Sequence, residues 1–457
     1  MGSRGHGLRQ GLRGGSLRTL NAVPALELLT QDQSGNSSNW LTWVHKSFLA
    51  VVDQGLMSSS NFLVAVVLAR WLAPEQFGSY VLSSALFLLV SLLQQSLLLE
   101  PQRVFGPSVY QNKSREYLGI LLWFQAAMGL VVFLILGLSA WIAHAMGRSA
   151  SLPGALAGAA LAAPCILLFW LTRGALYLKN APEIAVKGSL LYCLLAVLGL
   201  LLVFRLGMLS PFVGFATIGL DALVTSAVLL IHLRPVLKLP RNRAEARLAG
   251  EQHWRYGRWA LGSSLISWVN GDAVYYLLIA SFTGVAAAGT LKALLNLGSP
   301  VGQTCTGLSQ LFLPYGARIH CQNGWPGLSA FTLRITGLFA GGAIVYWMII
   351  IFLKQQVFSA LYGGKYLAAA GLLPWIAVGS IFGSALGGPS IALKAMQSPS
   401  SLFKASAFSC AASLAIGIPA AYFFGLRGVM LGLVLATLFP FVATVLLLYR
   451  TRDVRRA

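Results

Sequence analysis

The sequence predicts an all-α, polytopic membrane protein of about twelve transmembrane helices, six on each side of a basic mid-chain linker. Three observations carry this prediction. Apolar residues make up 57% of the 457-residue chain and charged residues only 10%. The apolar residues fall into about twelve blocks of bilayer-spanning length; about 20 such residues are needed because lipid offers the backbone no hydrogen-bond partners and each segment must close its own helical ladder. The short basic clusters, finally, sit on alternate loops.

The chain opens with residues 1–47, rich in Gly, Ser and Arg and without an apolar core before Phe48, so they form no cleavable secretory signal. Arg4, Arg9, Arg13 and Arg18 with few acids give this stretch the composition of an organellar transit peptide, and a disordered basic extension is the expectation. Apolar blocks at 50–72, 79–99, 117–143, 152–172, 184–204 and 210–233 build a first lobe, residues 48–233. Within it Arg103, Lys113 and Arg115, then Arg173, Lys179 and Lys187, mark one side, and Arg70, Arg148 and Arg205 stand singly on the other. Residues 234–256, with Pro235 and Pro240 and most of the seven basic residues between Arg234 and Arg258, read as the linker. Blocks at 257–282, 286–313, 329–353, 369–393, 402–424 and 428–449 build the second lobe, 257–449. Arg318 and Arg334, Lys394 and Lys404, and the basic tail 450–457 continue the heavily charged side. By the positive-inside rule both termini are cytoplasmic.

The formal charge of +21, from 33 Lys and Arg against 12 Asp and Glu, is thus explained by loop placement, and no nucleic-acid partner is expected. Cys165, Cys193, Cys305, Cys321 and Cys410 are scattered singly, with no spacing that builds a metal or redox site. No GxxxxGK[ST] loop and no His-Glu-x-x-His occurs, and the six histidines are isolated. With short outer loops poor in acids, an enzyme is not expected, and neither is a cofactor.

The halves resemble each other. Ala175-Leu176, Pro182 and Lys187 recur as Ala392-Leu393, Pro399 and Lys404 at a constant offset of 217, and an offset of 211 sets Asn61 on Asp272, Ala69 on Ala280, Trp71 on Phe282 and Gly78 on Gly289. Because each half has an even number of spans, the repeats should be related by an axis along the membrane normal.

The eighth block carries the most informative pattern. Lys292, Asn296, Ser299, Gln303, Thr306 and Gln310 recur at helical spacing and predict one polar stripe. A Lys in a lipid-facing helix costs about 2.5–3.5 kcal/mol on insertion scales, so the stripe must face protein or water. Interhelical hydrogen bonding accounts for Ser299 and Thr306 alone; six polar positions including a cation favour a hydrated cavity. Asp272 on the preceding block falls at a similar depth to Lys292. The two either pair to lower the cost of burial, or Lys292 holds a phosphate and Asp272 a cation or proton that releases it. Ser264, Trp268, Asp272 and Tyr275 follow at helical spacing and suit a wet wall with aromatic rings for sugars, or plain packing. Asn61, Gln94, Gln95 and Asp221 are the further intramembrane polar residues of the first half, with Asn61 singled out as the repeat mate of Asp272.

Residues 53–107 contain Asp-Gln-Gly-Leu-Met-Ser-Ser-Ser-Asn-Phe, then Leu-Ala-Arg-Trp-Leu-Ala-Pro-Glu-Gln-Phe-Gly-Ser-Tyr, then Glu100-Pro101 and Gly106-Pro107; a second stretch runs Leu361-Tyr362-Gly363-Gly364-Lys365-Tyr366. In these the chain resembles the bacterial polysaccharide-biosynthesis flippases of the O-antigen type, within the multidrug/oligosaccharidyl-lipid/polysaccharide (MOP) exporter superfamily. The resemblance implies two lobes around a central cavity that opens alternately to either side of the bacterial inner membrane. It implies an oligosaccharide on a polyprenyl diphosphate as cargo, for O-antigen, capsule or exopolysaccharide, with membrane lipid and the polysaccharide polymerase and chain-length machinery as partners. A proton or sodium gradient is the candidate energy source. Such cargo needs a cationic wall for the diphosphate and a hydrated lumen for the sugar, for which Lys292, Asn296, Ser299, Gln303, Asp272, Asn61 and Tyr275 are the candidates. Arg70 and Arg103 are candidate gate residues, although Arg103 also fits a positive-inside anchor. A multidrug or small-solute exporter of the same superfamily, a lipid II flippase and the membrane subunit of an ATP-driven exporter remain open as alternatives; the sign of the cavity separates the first of these, since a cation exporter needs an acidic lumen.

Overall fold

The computed structural model describes residues 37–454 apart from 148, 180, 236–242, 270 and 397–398. The expected disorder of the extension falls, for residues 1–36, outside the described residues. Ser37 already opens the first helix, α1 (Ser37–Trp71). Met1–Phe48 and Leu49–Ala457 are separate compact units, and in the first the described residues from Ser37 are helical.

The first lobe continues with α2 (Pro74–Gln94), α3 (Glu100–Ser108), α4 (Ser114–Met146), α5 (Leu152–Leu178), α6 (Pro182–Arg205) and α7 (Pro211–Leu233). Pro74, Pro182 and Pro211 stand in first turns, where a missing N–H costs nothing. A π-helical turn, Gln95–Leu99, joins α2 to α3, so the second span runs 74–106 and is longer than the sequence pattern indicated. The second lobe contains α8 (Arg243–Val269), α9 (Asp272–Thr283), α10 (Val285–Asn296), α11 (Ser299–Phe352), α12 (Lys354–Tyr362), α13 (Leu373–Ala385), α14 (Gly387–Ala395) and α15 (Pro399–Val454). α11 and α15 each turn at a glycine of positive φ, Gly324 (59°) and Gly425 (55°), so each is two rods rather than one. Among the described residues no strand occurs, and nine helical segments are long and apolar enough to cross a membrane.

Two expected spans differ from prediction. The seventh divides into α8 and α9 at Gly271, just before Asp272, and the eighth into α10 and α11 at Leu297-Gly298. The second break precedes Pro300, which cannot donate to the ladder of the helix before it.

Lys179 and Arg115 donate to the Leu233 and Arg234 carbonyls, so basic residues from the end of α5 and the start of α4 gather at the carboxyl end of α7, while Ser79 of α2 bonds Ser151 just before α5. The core of the first lobe is α5, whose small residues let α7 approach: a Cβ on Gly158 would lie 2.7 Å from the Phe212 carbonyl oxygen, and one on Gly219 would lie 2.7 Å from Ala162 Cα. The repeat offsets land on matching places. Leu176 and Leu393 are both buried, and Pro182 and Pro399 both begin a helix. Gly78 and Gly289, equivalent by the other offset, touch: a Cβ on Gly289 would lie 2.9 Å from the Gly78 nitrogen.

Candidate functional site

A cavity of about 520 Å3 lies in the second lobe among α9, α10, α11, α13, α14 and α15. Its lining is rich in hydroxyls: Ser299, Thr306 and Ser309 from α11, Ser380 and Ser384 from α13, Ser390 from α14 and Thr437 from α15. Several of these donate to their own helix. Thr306 bonds the Gly302 carbonyl at 2.8 Å, Ser309 that of Cys305 at 2.7 Å and Thr437 that of Val434 at 2.9 Å. With the proton so used, each hydroxyl oxygen presents lone pairs, and these suit a ligand that brings donors. Asp272 and Gln303 complete the polar lining, and Trp375 is its aromatic residue.

The eighth-block stripe therefore reaches the cavity only in part. Ser299, Gln303 and Thr306 line it, on α11 beyond the Leu297-Gly298 break. Gln303 also spans the lobes, its Oε1 accepting from Ser58 Oγ of α1 at 2.9 Å. Lys292 and Asn296, on α10 before the break, do not belong to the lining. Lys292 is half-buried with Nζ 5.8 Å from the centroid of the Tyr276 ring, a cation–π placement. Asn296 is buried beside Tyr362, whose hydroxyl donates to the Ala293 carbonyl at 2.8 Å. The expected one-piece stripe is thus corrected by the break, which parts its cation from its hydroxyls. The side chain of Gln310 lies outside the described residues.

Asp272 begins α9 and is exposed to the cavity. It feels the charge of Lys292, but the ion pairs among the described residues do not include the two. Tyr275 is buried against Gly417 and Gly432, off the cavity, with its hydroxyl unpartnered. Asn61 is exposed on α1 and is not part of the lining. Arg103 is exposed on α3.

Arg70 stands at a joint between the lobes. Its guanidinium donates to the Ala360 carbonyl, while Lys365 Nζ donates to the carbonyls of Arg70 and of Leu72 (2.9 Å) at the end of α1. Burial of the ammonium in this joint pushes the Lys365 pKa below its usual value. Gly363 (φ 62°) and Gly364 (φ 80°) make the sharp turn that aims Lys365. Trp71 stacks on Phe204 at 4.1 Å. The two stretches on which the family resemblance rests are therefore bonded to each other, at the end where Gly78 meets Gly289.

One constellation escaped the sequence reading. Asp53 of α1 is wholly buried and accepts hydrogen bonds from Arg173 Nε at 2.8 Å, Tyr177 and Ser189, with Arg173 also 2.7 Å away through Nη2. Its members come from α1, α5 and α6, and no spacing within one segment announces it.

No family model and no curated protein matches the chain. Solved structures do. An inward-facing multidrug resistance MATE family transporter of the MOP superfamily superposes with a TM-score of 0.68 and 14% identity over 87% of this chain and 94% of its own. The chain has the fold of MOP-superfamily transporters. Lipid II flippase MurJ, in its inward closed conformation, gives 0.65 at 14% identity over 90% and 87% of the two chains. The outward-facing conformation of a MATE family transporter gives 0.57, at 14% over 91% and 96%.

Proposed function

We propose that this protein is a flippase that carries a polyprenyl-diphosphate-linked oligosaccharide across the bacterial inner membrane by alternating access, with both termini cytoplasmic and a proton or sodium gradient as the energy source. The observation that carries the reading is the lining of the second-lobe cavity, in which seven Ser and Thr hydroxyls and Gln303 face a volume of about 520 Å3. Sugars bring many hydroxyl donors, and the lone pairs of Thr306, Ser309 and Thr437 accept them. Lys292 stands on α10 one turn before the lining residue Leu295, on the near side of the break, and supplies the cation for the diphosphate once the lobes rearrange.

The test is deletion of the gene. Surface polysaccharide should disappear while lipid-linked oligosaccharide accumulates facing the cytoplasm. Normal surface glycan with heightened sensitivity to a toxic compound would instead establish a solute exporter. One observation favours that second reading: the charged residue in the lining is Asp272, a carboxylate, and no Lys or Arg joins it.

A further inference from the structure

At the basic end of the first lobe a second cavity, of about 300 Å3, lies between α3, the 111–113 turn, α4 and α5. Gln102 of α3 lines it at 1% exposure, and neither its Oε1 nor its Nε2 has a partner. A buried amide with both ends unpaired is destabilising unless something enters to bond it. α4 begins at the same cavity with Ser114 in the lining, and no side chain caps that terminus. Its first N–H groups therefore present donors and the positive end of the helix dipole.

The charges agree in sign. Lys179 lines the cavity and donates one of its three protons to the Leu233 carbonyl; Arg115 donates through Nε to the Arg234 carbonyl at 2.8 Å. Both cations are thus held by the carboxyl end of α7, and each keeps further donors. Burial first, and then the charge of Arg115, depress the Lys179 pKa, so the two are close enough to repel. No carboxylate belongs to the lining. Glu116 is exposed, and Glu245 engages Lys113 at 3.4 Å on the surface. Gln111 and Tyr117 are the remaining polar walls, and the Tyr117 hydroxyl is bonded to His253.

We propose that this cavity binds a phosphate group, held by Gln102, Lys179 and the α4 amino terminus, and presented either by an anionic phospholipid headgroup or by a free phosphate ester. The site is in the opposite lobe from the hydroxyl-lined cavity and does not depend on the cargo assigned there. Its place beside the last turn of α5, where the span ends, puts it at headgroup level.

Two measurements on the purified full-length protein test it. In the first, inorganic phosphate is titrated against thermal unfolding in detergent, with chloride as the ionic-strength control. In the second, native mass spectrometry counts phospholipid retained after release from nanodiscs of phosphatidylcholine with or without phosphatidylglycerol. Gln102→Leu and Lys179→Gln are the variants. The leucine removes the unpaired amide and should fold at least as well as the parent, and the glutamine can still donate to Leu233. A phosphate-specific rise in unfolding temperature, with apparent Kd about tenfold weaker in each variant, supports the site with free phosphate as ligand. Retention of phosphatidylglycerol that both variants lose supports it with lipid as ligand. If neither anion binds, or both variants bind as the parent does, the cavity is a water-filled space and the proposal fails.

Discussion

Asp53 has its carboxylate wholly enclosed, and three side chains donate to it. Removing it strands Arg173, itself 19% exposed, without a counter-charge. Breaking a buried pair from one side costs about 3–5 kcal/mol, whereas replacing both partners with apolar residues is often close to neutral. Asp53→Ala should therefore lower the unfolding temperature far more than Asp53→Leu combined with Arg173→Met; additive losses in the double variant would refute the coupling. His253 behaves differently. The Leu97 carbonyl, exposed by the π-turn, can only accept, so His253 Nδ1 donates to it at 2.8 Å and Nε2 accepts from Tyr117 at 2.8 Å. That arrangement needs a neutral ring, and burial holds the pKa below 6.5. As pH falls below about 6.5 the unfolded chain takes up a proton that the folded chain resists, so stability is lost with acid. The unfolding temperature should drop between pH 8 and pH 5.5, and less so in His253→Asn; an equal drop in both would remove His253 as the cause. Neither group was legible beforehand, because contacts between helices leave no periodic trace in one segment. Asp272 was legible, since a lone acid amid apolar residues is a signal in itself.

At the scale of elements, the all-helical, membrane-spanning character was readable from apolar length, although nine segments among the described residues, against about twelve expected, are long and apolar enough to span. The breaks at Gly271 and at Leu297-Gly298 were not readable in this way, because apolar length runs across both; only Pro300, which cannot donate to the ladder before it, marks the second. The consequence falls on Lys292, whose distance from the hydroxyls was fixed by a continuous helix that does not exist. The α2–α10 contact is the clearest element-level device. A Cβ on Gly78 would lie 2.0 Å from the Val285 carbonyl oxygen, whereas one on Gly137 meets nothing within 4 Å. Gly78→Val should destabilise by about 1–3 kcal/mol and reduce transport at least tenfold, while Gly137→Ala leaves both unchanged; wild-type transport by Gly78→Val would show that the close approach is dispensable. The neighbouring joint yields a further expectation. Lys365→Ala leaves the Arg70 and Leu72 carbonyls without their bonded ammonium, so a cysteine at the buried position Ala69 should react with a maleimide about tenfold faster than in the parent. Unchanged reactivity would mean that the joint does not hold the lobes.

For the whole molecule, the layout expected from apolar blocks is that of an all-helical membrane transporter fold, and in it Gly78 meets Gly289. The MOP fold follows from that layout, but the cargo does not, because one fold serves many substrates. Cargo is decided by what the second-lobe cavity accepts, and its hydroxyls speak for sugar while Asp272 speaks for a cation. The most direct measurement is made on purified protein in liposomes carrying polyprenyl-diphosphate oligosaccharide, with a membrane-impermeant glycosidase outside. The lipid on the inner leaflet should become cleavable at a rate proportional to the protein present, with the diphosphate and glycan chemically unaltered. It should slow at least tenfold when Gln303 and Ser384 are both replaced by leucine. If the inner-leaflet lipid stays protected while a cationic solute is exported, the flippase account is wrong.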